Sequence, residues 1–312
     1  MPLSLRRGVV TTIVERHDRL VRLEVDGVAC IAYPRLTGEV EIGDEVIVNV
    51  QARELELGSG GFDVLYANLT RGLDLDAERG AHVIVLPYTP LQHAVRHVEE
   101  DGELGESLDG MPVVCCTVHS QVVPVCAALA GLRVAYVQVP GGALPAALSD
   151  AVRALRVRGL LELVVAAGPC VDADAQAVNV YSALAWCKAR GADVVVCSVG
   201  PGIVGTGTAL GHGAVAAAQC ANAAAALRGV AVVAPRVSSA DERERHRGLS
   251  HHTEAVLRLC LVEPRVPERG DDGWRDACAG LPLSHMGRGP EDDPDFFAAA
   301  FAAGSLARSL VS

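Results

Sequence analysis

Residues 193–234 read DVVVCSVGPGIVGTGTALGHGAVAAAQCANAAAALRGVAVVA. Two valine-rich runs bracket a glycine loop and an alanine-rich stretch, the pattern of a strand, a turn, a helix and a second buried strand. From Val194 to Leu227 the chain has 34 residues with no formal charge beyond what His212 acquires, which on length alone suffices for a bilayer-crossing helix. The content argues otherwise. Gly200, Gly202, Gly205, Gly207, Gly211 and Gly213, together with Pro201, break any single helix here. A buried α/β unit explains the segment better than lipid does.

The same alternation extends on both sides. Apolar runs HVIVL (82–86), MPVVCCTV (111–118), LRVAYVQV (132–139), LELVVAA (161–167), DVVVCSV (193–199) and GVAVVA (229–234) are separated by helix-like stretches such as LPAALSDAVRALRVRG and AQAVNVYSALAWCKARG, the latter stopped at Gly191. This predicts an α/β domain over 73–312 with a mostly parallel, Rossmann-like sheet and helices on both faces. FFAAAFAAGSLARSLV reads as a terminal helix docked by its phenylalanines. Residues 1–72 read differently. GVVTTIVERH, RLVRLEVDGVACIAY and GEVEIGDEVIVNV, followed by a GSGG turn at 58–61, alternate at period two, as in Leu23 and Val25 or Val40 and Ile42 beside Glu39 and Glu41. Strands this short and closely spaced predict a small antiparallel β-barrel of the SH3 or oligonucleotide-binding type.

Composition limits what the chain binds. Its 312 residues carry 27 basic against 38 acidic side chains, a net charge of −11, and aromatics make up 4%. Phosphate backbones and anionic membranes require a broad cationic face, and single strands require stacking platforms, so neither nucleic acid nor membrane is an expected partner. Through Thr70 the chain has 7 arginines and 11 carboxylates, so packing or assembly suits the barrel better than nucleic-acid binding. The amino terminus has no apolar run long enough for a secretory signal before Glu15 and Arg16. Cys115, Cys116, Cys126, Cys187, Cys197, Cys220 and Cys260 lie in apolar runs and there is no CxxC pair, which together suggest a reducing cytoplasm and no paired-cysteine zinc site.

In an open parallel sheet, ligands bind beyond the strand carboxyl ends. The loops expected there are His119-Ser120-Gln121, Pro140-Gly141-Gly142, Gly168-Pro169-Cys170 with Asp172 and Asp174, the glycine loop 200–213, and PRVSSADERERHRGLSHHT from Pro235. Gly200, Gly202, Gly205 and Gly207 leave room for backbone N–H groups to approach an anion, with Thr206 and Thr208 as hydroxyl donors; the alternative is a loop that lets chain segments pack closely. Gly200 to Gly205 matches GxGxxG, but the later glycines delay the helix and no acidic residue ends the next strand. Arg236 stands there instead, which leaves open a phosphorylated ribose.

Between Arg236 and His252 stand four arginines (236, 243, 245 and 247), three carboxylates (Asp241, Glu242 and Glu244) and three histidines (246, 251 and 252). Ser250 caps the following helix in this reading, putting His251 and His252 in its first turn. Neutral imidazoles there suit acid–base catalysis or metal ligation. A metal would need Asp241, His246, His251 and His119 to converge; otherwise the stretch is a salt-bridged surface loop. No nucleophile stands out: GxSxG and GxxxxGK[ST] are missing, and Cys115 and Cys116, on opposite strand faces, suit buried packing. The residues name no cofactor.

The strings YTPLQ (88–92), GPGIVGTGT (200–208), RVSSADERERHRGLSHHT (236–253) and SHMGRGPEDDPDFF (284–297) resemble the bacterial family catalogued as domain of unknown function 3866. The resemblance implies a cytoplasmic α/β protein and supplies no reaction. Its pattern has a carboxylate just before the AVN of AVNVYSAL, where this chain has Gln176, which puts a catalytic role for that loop in doubt. The expected function is that of a small-molecule enzyme or ligand-binding protein. Its small anionic ligand would be held by the 200–213 loop with Arg236, Arg243, Arg245 and Arg247, and His119, Asp241, His246, His251 and His252 would supply chemistry. The alternatives are a non-catalytic assembly or regulatory protein, as a homo-oligomer, and an NADP-type dinucleotide binder.

Overall fold

The computed structural model describes residues 3–56, 61–72 and 75–311. The turn at 58–61 lies, apart from Gly61, outside the described residues. Met1–Glu78 and Arg79–Ser312 form two compact units.

The first unit is a closed barrel. β1 (Leu5–Arg16), β2 (Val21–Val25), β3 (Val28–Ala32), β4 (Glu45–Asn49) and β5 (Asp63–Asn68) pair in the order β1-β2-β3-β5-β4, with short helices α1 (Pro34–Thr37) and α2 (Gln51–Glu54) between strands. Contrary to the expected antiparallel barrel, β3 and β5 run parallel, because the chain crosses past β4 before β5. Asp26 (φ 50°) and Gly27 (φ 76°) join β2 to β3 in a two-residue turn whose positive φ angles match the strand twist. Val10, Leu23, Val25, Val46, Val48 and Leu65 fill the interior. One expected strand segment does not form: Glu39–Ile42 is loop, although Val40 is buried. The reason is local. Gly38 and Gly43 adopt positive φ on either side, and the Asp44 carboxylate accepts from the Glu41 N–H at 2.8 Å, closing a turn where ladder bonds would have run. β5 replaces it as the fifth strand.

In the second unit, β6 (Val83–Val85) pairs antiparallel with β7 (His93–Val95) as a separate hairpin, so the HVIVL run is not part of the main sheet as expected. The remaining apolar runs form β8 (Pro112–Cys116), β9 (Val134–Val139), β10 (Leu163–Ala167), β12 (Val194–Val199) and β13 (Val230–Ala234); an unexpected edge strand, β11 (Ala175–Ala177), takes up the start of the AQAVNVYSALAWCKARG stretch. All six run parallel, in the order β11-β10-β9-β12-β8-β13.

The helices are α3 (Val122–Ala128), α4 (Asp150–Val157), α5 (Val180–Ala189), α6 (Ala216–Ala226), α7 (His251–Leu259), α8 (Trp274–Ala277) and α9 (Pro294–Ser309). Successive strand residues face opposite ways, so Val114 and Cys116 pack with α3, α4, α8 and α9, while Val113 and Cys115 pack with α5, α6 and α7. Crossovers that move from β8 and β9 toward the β11 edge use the first face, and those that move back use the second. One hand of crossover requires this division. The chain leaves β8 toward one edge and β12, its neighbour, toward the other, so their carboxyl ends flank a switch point.

α9 docks through Phe296, Phe297 and Phe301, as its sequence suggested, and against α3 it comes close enough to require glycine. A Cβ at Gly304 would lie 2.4 Å from the Val125 carbonyl oxygen and 2.7 Å from Ala128 Cβ. Among the described residues no helix is long and apolar enough to cross a membrane. Gly304→Ala should therefore destabilise the protein by about 1–3 kcal/mol in chemical denaturation. Helix propensity alone favours alanine by about 1 kcal/mol, so equal or greater stability would show that the clash is relieved by sliding.

Candidate functional site

The glycine loop is held first by packing. A Cβ at Gly200 would sit 2.2 Å from the Ala143 carbonyl oxygen, and one at Gly213 would sit 2.0 Å from that of Gly141. These glycines admit the 141–143 loop, backbone against backbone. Thr206 Oγ1 donates to the Gly211 carbonyl at 3.0 Å, and Thr208 Oγ1 accepts from the Gly211 N–H at 3.1 Å, so both hydroxyls close the loop on itself. Gly207 differs: what a Cβ there would approach is the Arg245 guanidinium, 3.9 Å away. Thus the 200–213 loop faces the arginine- and histidine-rich loop.

That second loop is pinned at its ends by β14 (Val237–Ser238) pairing with β15 (Gly248–Leu249). Inside it Asp241 is an electrostatic hub. Arg236 Nη2 donates to Asp241 Oδ2 at 3.1 Å, Arg243 reaches both carboxylate oxygens at 3.0 Å, and Arg288 Nη2 donates to Oδ2 at 3.2 Å. Arg288 Nε also donates to Asp293 at 3.2 Å, whose carboxylate accepts from Ser238 Oγ at 2.7 Å. Burial alone would raise the Asp241 carboxyl pKa, but hydrogen bonds and charge from Arg243 and then Arg236 outweigh it and hold the group well below the usual range. Burial lowers Arg236 to about 10, opposed by Asp241. Both stay charged near neutrality, so Asp241 serves as a fixed anion and not as a proton shuttle. Asp241→Asn removes the counter-charge of three guanidiniums and should cost about 3–5 kcal/mol in denaturant titration; a loss under 1 kcal/mol would mean that water already screens them.

Beside this network four imidazoles pack together. The His212 and His252 rings stack with centroids 3.9 Å apart, and His246 lies 4.7 Å from His251 and 4.8 Å from His252. The capping reading holds: Ser250 Oγ accepts from the His252 N–H at 3.2 Å and also bonds His246 Nδ1 at 2.7 Å. His212 Nε2 is 3.1 Å from the Ala209 carbonyl, which can only accept, so that nitrogen carries the proton and Nδ1 is left as a lone pair. His212 Nδ1 and His251 Nε2 are both buried without a hydrogen-bond partner. Burial and then nearby positive charge push His246 down to about 3, and burial with neighbouring His212 and Arg236 pushes His252 down to about 2. His212 and His251 are also lowered, by burial first. The cluster is neutral at physiological pH. Ligating nitrogens of His212, His251 and His252 lie within 4.8 Å of one another, a group that could hold a metal ion.

The expected metal quartet does not assemble. His119 donates from Nδ1 to the Val199 carbonyl at 3.1 Å and its Nε2 bonds Ser149 Oγ at 2.7 Å, so both ring nitrogens are engaged between β8, β12 and the start of α4. Burial lowers it to about 4. Arg236 is 2% exposed, and its Nη2 is tied to Asp241. Arg243 anchors Asp241, whereas Arg245 and Arg247 are exposed. Asp174 pairs with Arg156 on α4. Gln176 Nε2 donates to the Gly168 and Cys170 carbonyls at 3.1 and 2.7 Å, bonds a carboxylate has no proton to make. Burial raises the Cys115 and Cys116 thiols far above their ordinary value, so neither offers a thiolate.

Sequence reasoning missed His212, His285, Arg288 and Asp293. His285 Nδ1 shares a 3.0 Å hydrogen bond with Ser120 Oγ, and its ring stacks on Phe296 at 3.7 Å. The signal for His212 was its place between Gly211 and Gly213 at the end of the glycine loop; for His285 and Arg288 it was the polar SHMGRG string, and for Asp293 the acidic run just before the terminal helix.

Over residues 29–272 the chain matches the family model described as Protein of unknown function (DUF3866), and it belongs to that family. No curated protein matches it.

Histidines held neutral by the fold gain a proton only on unfolding, so their contribution to stability is complete above 6.5 and is lost as pH falls toward their folded values of 2–4. Melting temperature should drop between pH 7 and 5, with up to about 1.4 kcal/mol per pH unit from each fully buried ring. His246→Gln should flatten that slope in thermal melts, and a melting temperature constant from pH 7 to 5 would contradict the neutral cluster.

Proposed function

We propose that this is a cytoplasmic small-molecule enzyme or ligand-binding protein that takes a small anion where the 200–213 and 236–252 loops meet. The observation that carries it is the charge of the buried network. Three guanidiniums, Arg236, Arg243 and Arg288, meet two carboxylates, Asp241 and Asp293, and Arg236 Nε is buried with no acceptor. A buried donor left unmatched in a net positive network is satisfied by an anion. Arg245, over Gly207, adds an exposed cation at the edge. The neutral imidazoles of His246, His251 and His252 are suited to taking a proton from a bound substrate. The switch point between β8 and β12 supports a Rossmann-like arrangement of the sheet, and ten unpaired cysteines suit a reducing compartment.

A homo-oligomer is compatible with this reading. Val204, Leu210, Leu249 and Leu261 are large, apolar and exposed, three of them on the two loops themselves. The test is a thermal-shift panel of phosphate- and carboxylate-bearing metabolites on chelator-stripped protein. At least one should raise the melting temperature, and Arg245→Ala and His251→Ala should each reduce that shift by half or more. Identical shifts in wild type and both variants, or no shift from any anion, would remove the assignment.

A further inference from the structure

We propose that His212, His251 and His252 form a three-imidazole site for a divalent transition-metal ion of the zinc class, with a fourth position left open. The site stands independently of the anion reading. It rests on ring nitrogens that the fold buries and leaves unmet: the lone pair of His212 Nδ1 and the His251 Nε2 atom have no partner, within a group whose ligating nitrogens all lie within 4.8 Å. An unmet lone pair facing others of its kind costs free energy, and a cation shared among them relieves it.

The surroundings match what ligating histidines require. The Ala209 carbonyl takes the His212 Nε2 proton at 3.1 Å, which fixes the tautomer and aims Nδ1 as a ligand. The α7 cap formed by Ser250 sets the backbone that carries His251 and His252 next to each other. Tetrahedral zinc with imidazole bonds of about 2.0–2.1 Å needs ligand nitrogens about 3.3 Å apart. Ring rotations close the difference from 4.8 Å. The donor set is nitrogen only, which suits zinc, copper, nickel or iron and not calcium or magnesium.

Arg236 defines the ion's company. Its Nη1 lies 3.4 Å from His252 Nδ1, a long contact that ligation by His252 gives up. Three neutral ligands leave the metal's full charge beside that guanidinium, so an anionic fourth ligand such as hydroxide completes the site. Three histidines with one open position make a site of the catalytic and not the structural kind.

Full-length protein is stripped with a chelator, reloaded with Zn2+ or Co2+ in buffer free of phosphate and carboxylate, and desalted. The proposal expects about one ion retained per chain and a visible ligand-field band from the cobalt form. Zn2+ affinity, measured by competition with a chromophoric chelator, should weaken by more than about tenfold in His212→Ala, His251→Gln and His252→Ala. His82→Ala, which alters an exposed histidine paired with Glu100, should leave it unchanged. His251→Gln lies in the partly exposed first turn of α7 and decides the matter if either of the other variants fails to fold by circular dichroism. No retained zinc in the wild type, or unchanged affinity in folded His251→Gln, overturns the site. Because the anion panel uses stripped protein, failure of either proposal leaves the other standing.

Discussion

An arginine with 2% of its side chain exposed, just past the end of β13, is the constraint around which the candidate ligand face is arranged. Taking a guanidinium out of water costs several kcal/mol even after relaxation, and only well-placed acceptors offset it. Arg236 obtains Asp241, five residues on. Asp241 in turn is hydrogen-bonded by Arg243 and Arg288, and Arg288 reaches Asp293 at the start of α9. One buried charge thereby fixes the 236–252 loop, the segment around 288 and the first turn of the terminal helix relative to β13. Asp293 also sits where the helix dipole favours a carboxylate. Removing Asp241 leaves the buried Arg236 without its carboxylate, so this one residue holds the network together.

The imidazoles follow from the same constraint. A histidine near buried arginines and shielded from water has two reasons to stay neutral, and His246, His252 and His285 all have Arg236 among the charges that lower them. Neutrality lets the His212 and His252 rings stack at 3.9 Å without repulsion. It also keeps their lone pairs free, the condition for a general base and for a metal ligand alike. Asp241, grouped in the sequence with the histidines as a source of chemistry, is held ionised by the guanidiniums that let it be buried.

Much of this was legible in the sequence. Valine runs gave the parallel strands because a strand buried on both faces has no polar side to display, and Ser250 announced the α7 cap because a serine before a helix has a free N–H to bind. The HVIVL run misled for the same reason that it was legible: an apolar run shows burial but not its partner, and here the partner was the nearby His93–Val95. The AQA of β11 was too short and too alanine-rich to separate from the helix that follows. On the ligand face, the two loops were legible as concentrations of glycine, arginine and histidine. Their joint members were not. His212 meets His252 across 40 residues of chain, and Arg288 meets Asp241 across 47, distances over which periodicity carries no information. His119 stood at the right end of the right strand, yet the Val199 carbonyl and Ser149 hydroxyl had already claimed its nitrogens.

In the glycine loop, close packing accounts for glycines that the motif would assign to a ligand. A GxGxxG after a strand suggests backbone amides cradling a phosphate, yet Gly200 and Gly213 are required because Ala143 and Gly141 pass within van der Waals contact. The loop's threonines spend their hydroxyls on Gly211. Its contribution to the ligand face is rigidity: with both ends locked against the neighbouring loop, it presents one side chain, His212, and one gap, at Gly207 under Arg245. On the proposed anion reading, recognition at this face falls to guanidinium and imidazole side chains. These discriminate among small anions by charge and geometry, where a ring of backbone amides would accept any phosphate that fits. A net charge of −11 disfavours long polyanions through its average field, and on the proposed reading this one positive centre is where a small anion is taken.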